Sequence, residues 1–321
     1  MKPLSEIPLQ EIHAARDRLV GTALRTPLVR LNVDHPAEIY LKLENLQPIG
    51  SFKLRGAGNA ILKRSAEDLT RGVFTASAGN MAQGVAWCAR RLGVACHVVV
   101  PDDAPRTKVD AIRRLGGEVI SVPFQKWWET VVSHEFPGID GVFVHPVSDP
   151  DVIAGNGTIG LEILEDLPDV DTVLVPFGGG GLSCGIATAL TGSRSSAKVY
   201  GCEVTTAAPL SAAWAAGKPV PCVEHERGFV DGIGGKNVLA EMWPLVQSLL
   251  AGPLTATIED IAAAVYALVA RNRVVAEGAG ASPVAVALSG LAGAGKIVCV
   301  VSGGNIDAAQ LSAILQRHGQ E

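Results

Sequence analysis

Aromatic residues make up only 5% of the 321-residue sequence, and no apolar run is long enough to span a bilayer. The six cysteines, Cys88, Cys96, Cys184, Cys202, Cys222 and Cys299, never fall at the short Cys-x-x-Cys spacing of zinc or redox sites. They read as small buried apolar side chains. The opening Met1-Lys2-Pro3-Leu4-Ser5-Glu6 lacks the apolar stretch of a signal peptide. Together these absences lead to the expectation of a soluble, cytoplasmic protein in a reducing compartment. Basic runs are missing too: the net charge is −5 and the Lys and Arg residues are scattered, which leaves no electrostatic case for nucleic acid. No nucleic-acid or membrane partner is expected.

What is present is 48% hydrophobic residues, 18% charged residues and 36 glycines, the composition of an α/β protein with two lobes or one large domain. Short β-branched runs read as strands: Ile39-Tyr40-Leu41-Lys42-Leu43, Val73-Phe74-Thr75-Ala76, His97-Val98-Val99-Val100, Val119-Ile120-Ser121-Val122, Val142-Phe143-Val144, Thr172-Val173-Leu174-Val175, Lys198-Val199-Tyr200-Gly201 and Ile297-Val298-Cys299-Val300-Val301. Between them, Met81 to Leu92, Thr107 to Leu115, Ile159 to Leu167 and Ile258 to Val269 repeat apolar residues at helical spacing. Such alternation predicts parallel or mostly parallel sheets covered by helices on both faces.

Several strands end in polar or glycine-rich loops that open a helix: Ser77-Ala78-Gly79-Asn80, Gly178-Gly179-Gly180-Gly181 and Ser302-Gly303-Gly304-Asn305. In open α/β sheets ligands bind outside the carboxyl ends of strands, so these loops can share one crevice. The four-glycine run leaves backbone N–H groups bare at a helix start, which suits a phosphate, though a tight turn needs the same residues. Reading Gly-x-Gly-x-x-Gly from Gly178 meets Ser183 and from Gly179 meets Cys184, so no dinucleotide fingerprint is present. Gly290-Leu291-Ala292-Gly293-Ala294-Gly295-Lys296 imitates a P-loop but lacks the final Ser/Thr and precedes a strand instead of a helix. Ser77-Ala78-Gly79-Asn80 suits either a carboxylate or a helix cap. In Gly50-Ser51-Phe52-Lys53-Leu54-Arg55-Gly56-Ala57 a lysine follows a capping serine at a helix start, with Phe52 and Arg55 at hand to lower its pKa. It is either a solvated surface charge or a nucleophile.

A lysine, a phosphate cradle, a carboxylate-sized anion site and a hydroxyl after the last strand together describe a pyridoxal phosphate enzyme acting on an amino acid. Five motifs, Gly50-Ser51-Phe52-Lys53-x-Arg55-Gly56-Ala57, Ser77-x-Gly79-Asn80, Val175-Pro176-x-Gly178-Gly179-Gly180-Gly181-Leu182, Glu277-Gly278-Ala279-Gly280 and Ser302-Gly303-Gly304-Asn305, stand in order from about Thr26 to Asn305. In this the sequence resembles the fold-type II pyridoxal phosphate enzymes, and within them the serine/threonine dehydratase and serine racemase group. The resemblance implies a two-lobed α/β fold like the tryptophan synthase β chain. Residues 1–71 and 148–321 would form the large cofactor-binding domain, and residues 72–147 a small substrate-gating domain. It implies elimination of water from a β-hydroxy amino acid, L-threonine, L-serine or a bulkier analogue, to a 2-oxo acid and ammonia. The alternatives are a racemase or β-replacement synthase of the same fold, or a non-catalytic cofactor-binding protein.

Residue roles follow from the resemblance. Lys53 would hold pyridoxal 5'-phosphate as a Schiff base and move the substrate's α-proton. Phe52 would pack near the ring, Asn80 would bond its phenolic oxygen, and Gly178, Gly179, Gly180, Gly181 and Leu182 would bind the phosphate. Ser302 would face the pyridine nitrogen and Gly232 would let its loop pass close to the ring. Ser77, Ala78, Gly79, Asn80 and Met81 would form the substrate carboxylate site.

The sequence departs from the pattern in four places. Ala78 stands where racemases of the group carry a second serine, so dehydration is expected to outrank racemisation. Met81 replaces a usual histidine and Ile49 a usual threonine, which predicts a more apolar site with room for a bulkier substituent. Pro209 stands where an acidic residue would complete a cation site with Glu203, so Glu203 is a possible ligand but no metal is assigned. Trp127-Trp128 reads as packing. His145, Asp149 and Gly155-Asn156-Gly157-Thr158 read as scaffold at the lobe junction. After Asn305 there is room for one helix, so no regulatory domain is expected, and the assembly expected by resemblance is a homodimer or higher homo-oligomer.

Overall fold

The central strand Lys296–Val300 is buried at every position after its first residue, the signature of a strand with both sheet faces covered. The structure is a computed structural model that describes residues 3–226 and 228–319; Met1 and Lys2 of the opening segment lie outside the described residues. Among the described residues, ten strands occur in chain order: β1 Leu28–Arg30, β2 Glu38–Lys42, β3 Val73–Ala76, β4 Cys96–Pro101, β5 Glu118–Val122, β6 Val142–Phe143, β7 Thr172–Pro176, β8 Lys198–Val204, β9 Gly252–Ala256 and β10 Lys296–Val300. They divide into a six-stranded sheet of order β1-β2-β10-β7-β8-β9 and a four-stranded sheet of order β5-β4-β3-β6. Every pairing is parallel except β1 with β2. The smaller sheet is drawn wholly from residues 73–143.

The eight strands expected from the sequence are all present, with ends displaced by at most three residues and Val73–Ala76 unchanged. The two it misses are edge strands. β1 is three residues long, and β9 contains Gly252-Pro253, which an edge tolerates because one side of the strand needs no hydrogen-bond donor.

The helix Pro150–Asp166 begins nine residues before the expected Ile159, because Gly155 and Gly157 break the helical reading. Asp149 starts it by accepting from Asp151 N (2.7 Å) and Val152 N (3.3 Å), with Pro150 at the first position. The glycines serve close packing: a Cβ at Gly157 would lie 2.9 Å from Gly185 O, and one at Gly160 2.9 Å from Ile186 O. Through them this buried helix lies between Lys53–Leu62 and Gly181–Gly192, fixing the lysine helix and the glycine-run helix against one support.

Two large clusters of buried apolar residues cover the faces of the larger sheet, and a third fills the space around β3, β4 and the helices Lys53–Leu62 and Asn80–Leu92. The P-loop imitation is the turn between the helix Gly278–Leu288 and β10, with Lys296 paired to Asp169. Trp127 packs beside Ala76, Val99, Val122 and Val131, as expected, whereas Trp128 is exposed, which corrects its reading as packing. All six cysteines are free thiols, and no helix among the described residues is long and apolar enough to cross a membrane.

Candidate active site

Two motifs more than two hundred residues apart form one platform. Phe52 N donates to Ser302 O (2.9 Å), Gly304 N donates to Gly50 O (2.9 Å), and Asn305 Nδ2 donates to Ile49 O (2.9 Å). Lys53 opens the helix from this platform. The N-cap is Phe52 with no side-chain cap, and Ser51 Oγ accepts only a long 3.4 Å bond from Lys53 N, which corrects the expectation of a capping serine. The lysine Nζ lies 5.2 Å from the Phe52 ring centroid and donates to Pro146 O at 2.7 Å. Burial lowers its amine to about 8, with the Glu277 carboxylate opposing the shift. Arg55 has no part in this. Its guanidinium is buried in ion pairs with Glu44 (2.8 Å) and Glu162 (2.7 Å), which corrects the expectation that it depresses the lysine.

The glycine run follows β7. Gly180, at φ +94°, takes a left-handed conformation open to glycine and stands as the N-cap of Gly181–Gly192. No side chain caps that helix, so its first amides are supplied bare. A Cβ at Gly179 would lie 2.5 Å from Val147 Cγ1, one at Gly181 2.7 Å from Val147 O, and one at Gly178 3.1 Å from Gly232 O. The run is thus pressed between the turn that follows Pro146 and the loop carrying Gly232. Leu182 is buried in the core of the larger sheet.

After β3, Ser77 Oγ accepts from Gly79 N (3.2 Å), and Gly79 is the N-cap of Asn80–Leu92 without a side-chain cap of its own. Capping therefore does not consume this helix start, and open space lies over Gly79. Asn80 donates through Nδ2 to Glu277 Oε1 (2.8 Å) and accepts at Oδ1 from Asn305 Nδ2 (2.8 Å), leaving one amide hydrogen uncommitted. Ser302 is 2% exposed and its hydroxyl makes no hydrogen bond among the described residues. Met81 and Ile49 correct a second expectation. Both are buried in the core around the smaller sheet, so their side chains do not widen the site, and Met81 has only its backbone to offer.

Glu277 is the residue that sequence reasoning left without a role, although it opens a recognised motif. Burial raises its carboxyl to about 7, Asp231 adds to the shift, and the Asn80 bond, Lys108 and Lys53 oppose it. Pro146 and Val147 were also missed; they act through backbone and packing, for which a sequence carries no signal. Glu203 is occupied by protein: Oε1 accepts from Leu210 N (2.6 Å), and Oε2 accepts from Ser211 N (2.9 Å) and Oγ (2.7 Å). No cluster of three or more His, Cys, Asp or Glu among the described residues is arranged to hold a metal.

An aromatic aldehyde carrying a phosphate suits these groups. The amine drawn toward neutrality can bond the aldehyde, the uncapped glycine helix end matches the phosphate, and the spare Asn80 hydrogen and unpaired Ser302 hydroxyl match polar atoms of the ring. The chain belongs to the pyridoxal-phosphate dependent enzyme family, whose sequence profile matches residues 21–303. Within it the chain is 41% identical over 321 aligned residues to an L-threonine ammonia-lyase of Geobacter sulfurreducens, covering 97% of this chain and 79% of that one. Among solved structures it is similar to the processed form of threonine deaminase isoform 2 from Solanum lycopersicum, with 31% identity, TM-score 0.89 and coverage of 100% and 91% of the two chains. Maize serine racemase is also similar, with 30% identity, TM-score 0.89 and coverage of 98% and 99%.

Proposed function

We propose that the protein is a pyridoxal phosphate-dependent ammonia-lyase that converts L-threonine or L-serine to the 2-oxo acid and ammonia. The observation that carries the reading is Lys53: a buried amine lowered to about 8, held by the Pro146 carbonyl and facing a carboxylate. The threonine ammonia-lyase relative supports it over most of the chain.

The cofactor, when bound, supplies an electron sink that makes the substrate's α-hydrogen acidic. The chain supplies the rest. Backbone amides from Gly178 to Leu182 would hold the phosphate, Asn80 would offer its spare hydrogen to the phenolic oxygen, Phe52 would pack near the ring and Gly232 would let its loop approach. Ser302 would meet the pyridine nitrogen with a hydroxyl, which does not force protonation as a carboxylate would. Ser77 and the backbone from Ala78 to Met81 hold the substrate carboxylate at the Asn80 helix start. With the cofactor in place, the neutral Lys53 Nζ would take the α-proton as the β-hydroxyl leaves with a proton as water, and Lys53 would resume its own bond to the cofactor as the enamine departs to hydrolyse to the 2-oxo acid and ammonia.

In this reading residues 72–147 form the small gating lobe, and residues 1–71 with 148–321 the large one. Closure of the small lobe excludes water from the site. The free thiols accord with a reducing, cytoplasmic setting, and a homodimer is the expected minimum assembly. Racemisation is the second reading. It needs a proton donor on the far face of the α-carbon, where Ala78 offers a methyl group. The test is 2-oxo acid and ammonia release from threo and erythro β-hydroxy amino acids by wild type and Lys53→Ala. Wild type is expected to release both and the variant neither; release by the variant would refute the assignment.

A further inference from the structure

The carbonyl that receives the lysine belongs to a peptide group whose other end is also taken. The Pro146–Val147 peptide presents its C=O to Lys53 Nζ at 2.7 Å and its N–H to His145 Nδ1 at 3.0 Å. Ser148 N and Ser148 Oγ donate to or share the same ring nitrogen at 2.7 and 3.1 Å. The peptide unit is planar and rigid, so fixing its N–H fixes where its C=O points. We propose that His145 is a positioning residue for Lys53: its imidazole holds the turn His145–Ser148 so that the Pro146 carbonyl stays on the amine and Val147 stays against the glycine run. The proposal deepens the ammonia-lyase reading and rests on it.

Three observations argue for a specific role beyond filling space. First, two backbone N–H groups converge on Nδ1, so that nitrogen carries no proton and the ring is the neutral Nε2–H tautomer. Second, the ring stays neutral: burial holds it down to about 3, with His134 and Lys53 adding to the effect. His145 is 2% exposed, its ring centroid lies 5.0 Å from that of His134, and beyond Nδ1 its partners are the Val131 backbone on the helix Phe124–Ser133, whose bond opposes the depression, and Ser148 Oγ at 3.4 Å from Nε2. One ring therefore ties the smaller sheet's outer helix to the turn that receives the lysine. Third, Val147 bounds both Gly179 and Gly181, so the same turn walls the phosphate cradle. When Lys53 is free during turnover, the Pro146 carbonyl takes one of its hydrogens and leaves the lone pair for the substrate. A carbonyl polarised from behind by the His145 bond is a stronger acceptor for that hydrogen.

The test compares two amides of similar polarity. His145→Asn places an amide oxygen near the Nδ1 position, whereas His145→Gln carries its amide one bond further, near Nε2, and leaves the Val147 N–H without its partner. Asn is expected to keep kcat within about threefold, and Gln to lose roughly tenfold or more with KM for threonine unchanged, as a displaced reacting group does. A readout independent of activity is the pH profile of Lys53 modification by an amine-reactive label in cofactor-free protein. The charged groups around the amine, Glu277 with Asp231 and Lys108 behind it, are common to all variants. Wild type and Asn are expected to share one midpoint. The Gln midpoint is expected to fall, because a displaced carbonyl no longer favours the ammonium. Coincident midpoints for all three proteins, or equal kcat losses in Asn and Gln, would overturn the proposal. Nitrogen NMR of the wild type is expected to show Nδ1 unprotonated and Nε2 protonated from about pH 5 to 9, and a proton on Nδ1 would overturn it whatever the variants do. Labelling and NMR do not depend on catalysis, so a failure of the ammonia-lyase reading is distinguishable from a failure here.

Discussion

Lys53 Nζ and the Pro146 carbonyl oxygen meet at 2.7 Å across a sequence separation of 93 residues, in a buried setting that lowers the amine to about 8. Only the neutral amine attacks an aldehyde, so uptake of pyridoxal phosphate by the cofactor-free protein is expected to rise with pH up to about 8 and level above it. An unperturbed lysine, with a pKa of about 10.4, would keep rising well beyond that. Because the Glu277 carboxylate opposes the depression, Glu277→Gln is expected to move the midpoint lower. Stopped-flow uptake measured across this range checks both statements, and a midpoint that rises in the variant would exclude Glu277 as the opposing charge.

The glycine-ended strands were legible because backbone chemistry writes itself into composition: β10 before Ser302-Gly303 and β7 before Gly178 to Gly181 announce a strand followed by a glycine loop, which after β7 opens a helix with no side-chain cap. Residues whose importance comes from a distant partner were not. Arg55 reads as a neighbour of Lys53 along the chain, yet its guanidinium lies in ion pairs with Glu44 and Glu162. Met81 reads as a site residue by its place after Asn80, yet the helix turns its side chain into the core. Pro146 acts through a carbonyl that every residue possesses. The first half of Pro150–Asp166 was hidden by glycines whose purpose, close helix packing, is visible only once the neighbouring helices are in place.

Arg55, Glu44, Glu162 and Lys42 form a buried charge cluster, with Lys42 Nζ 2.6 Å from Glu162 and each of the four at most 6% exposed. Arg55→Met removes one of two cations and leaves the carboxylates with a single lysine. The expected loss is about 3–5 kcal/mol of unfolding free energy, the cost of stranding a buried charge. Urea denaturation of the cofactor-free protein measures it; a loss below about 1 kcal/mol would mean that solvent reaches the cluster.

Ala78 sits beside the Asn80–Leu92 helix start, proposed above to hold the substrate carboxylate, and is partly buried against the core around the smaller sheet. Ala78→Ser adds one oxygen and a proton that can move, in a position that carries serine in the racemases this sequence resembles. The variant is expected to convert L-serine to D-serine at a rate at least roughly tenfold above wild type while ammonia release persists, general acid–base groups being worth that much or more. Chiral chromatography of the residual substrate is the measurement, and an unchanged D-serine yield would show that a hydroxyl at this position does not reach the α-carbon.

Glu203 tests whether a cation is needed. Its carboxylate accepts from two backbone amides and one hydroxyl at the start of Pro209–Ala216, and burial raises its pKa, the direction given by an apolar setting without a neighbouring cation. The helix start supplies the hydrogen bonds that a bound metal would otherwise replace, so exhaustive chelation is expected to leave ammonia release unchanged, and added magnesium to raise neither rate nor melting temperature. Glu203→Ala removes the acceptor from all three donors and is expected to cost about 1–3 kcal/mol of stability, the range for stranded buried polar groups. If chelation instead lowers the melting temperature of wild type but not of Glu203→Ala, the carboxylate is a metal ligand and the helix-capping account fails.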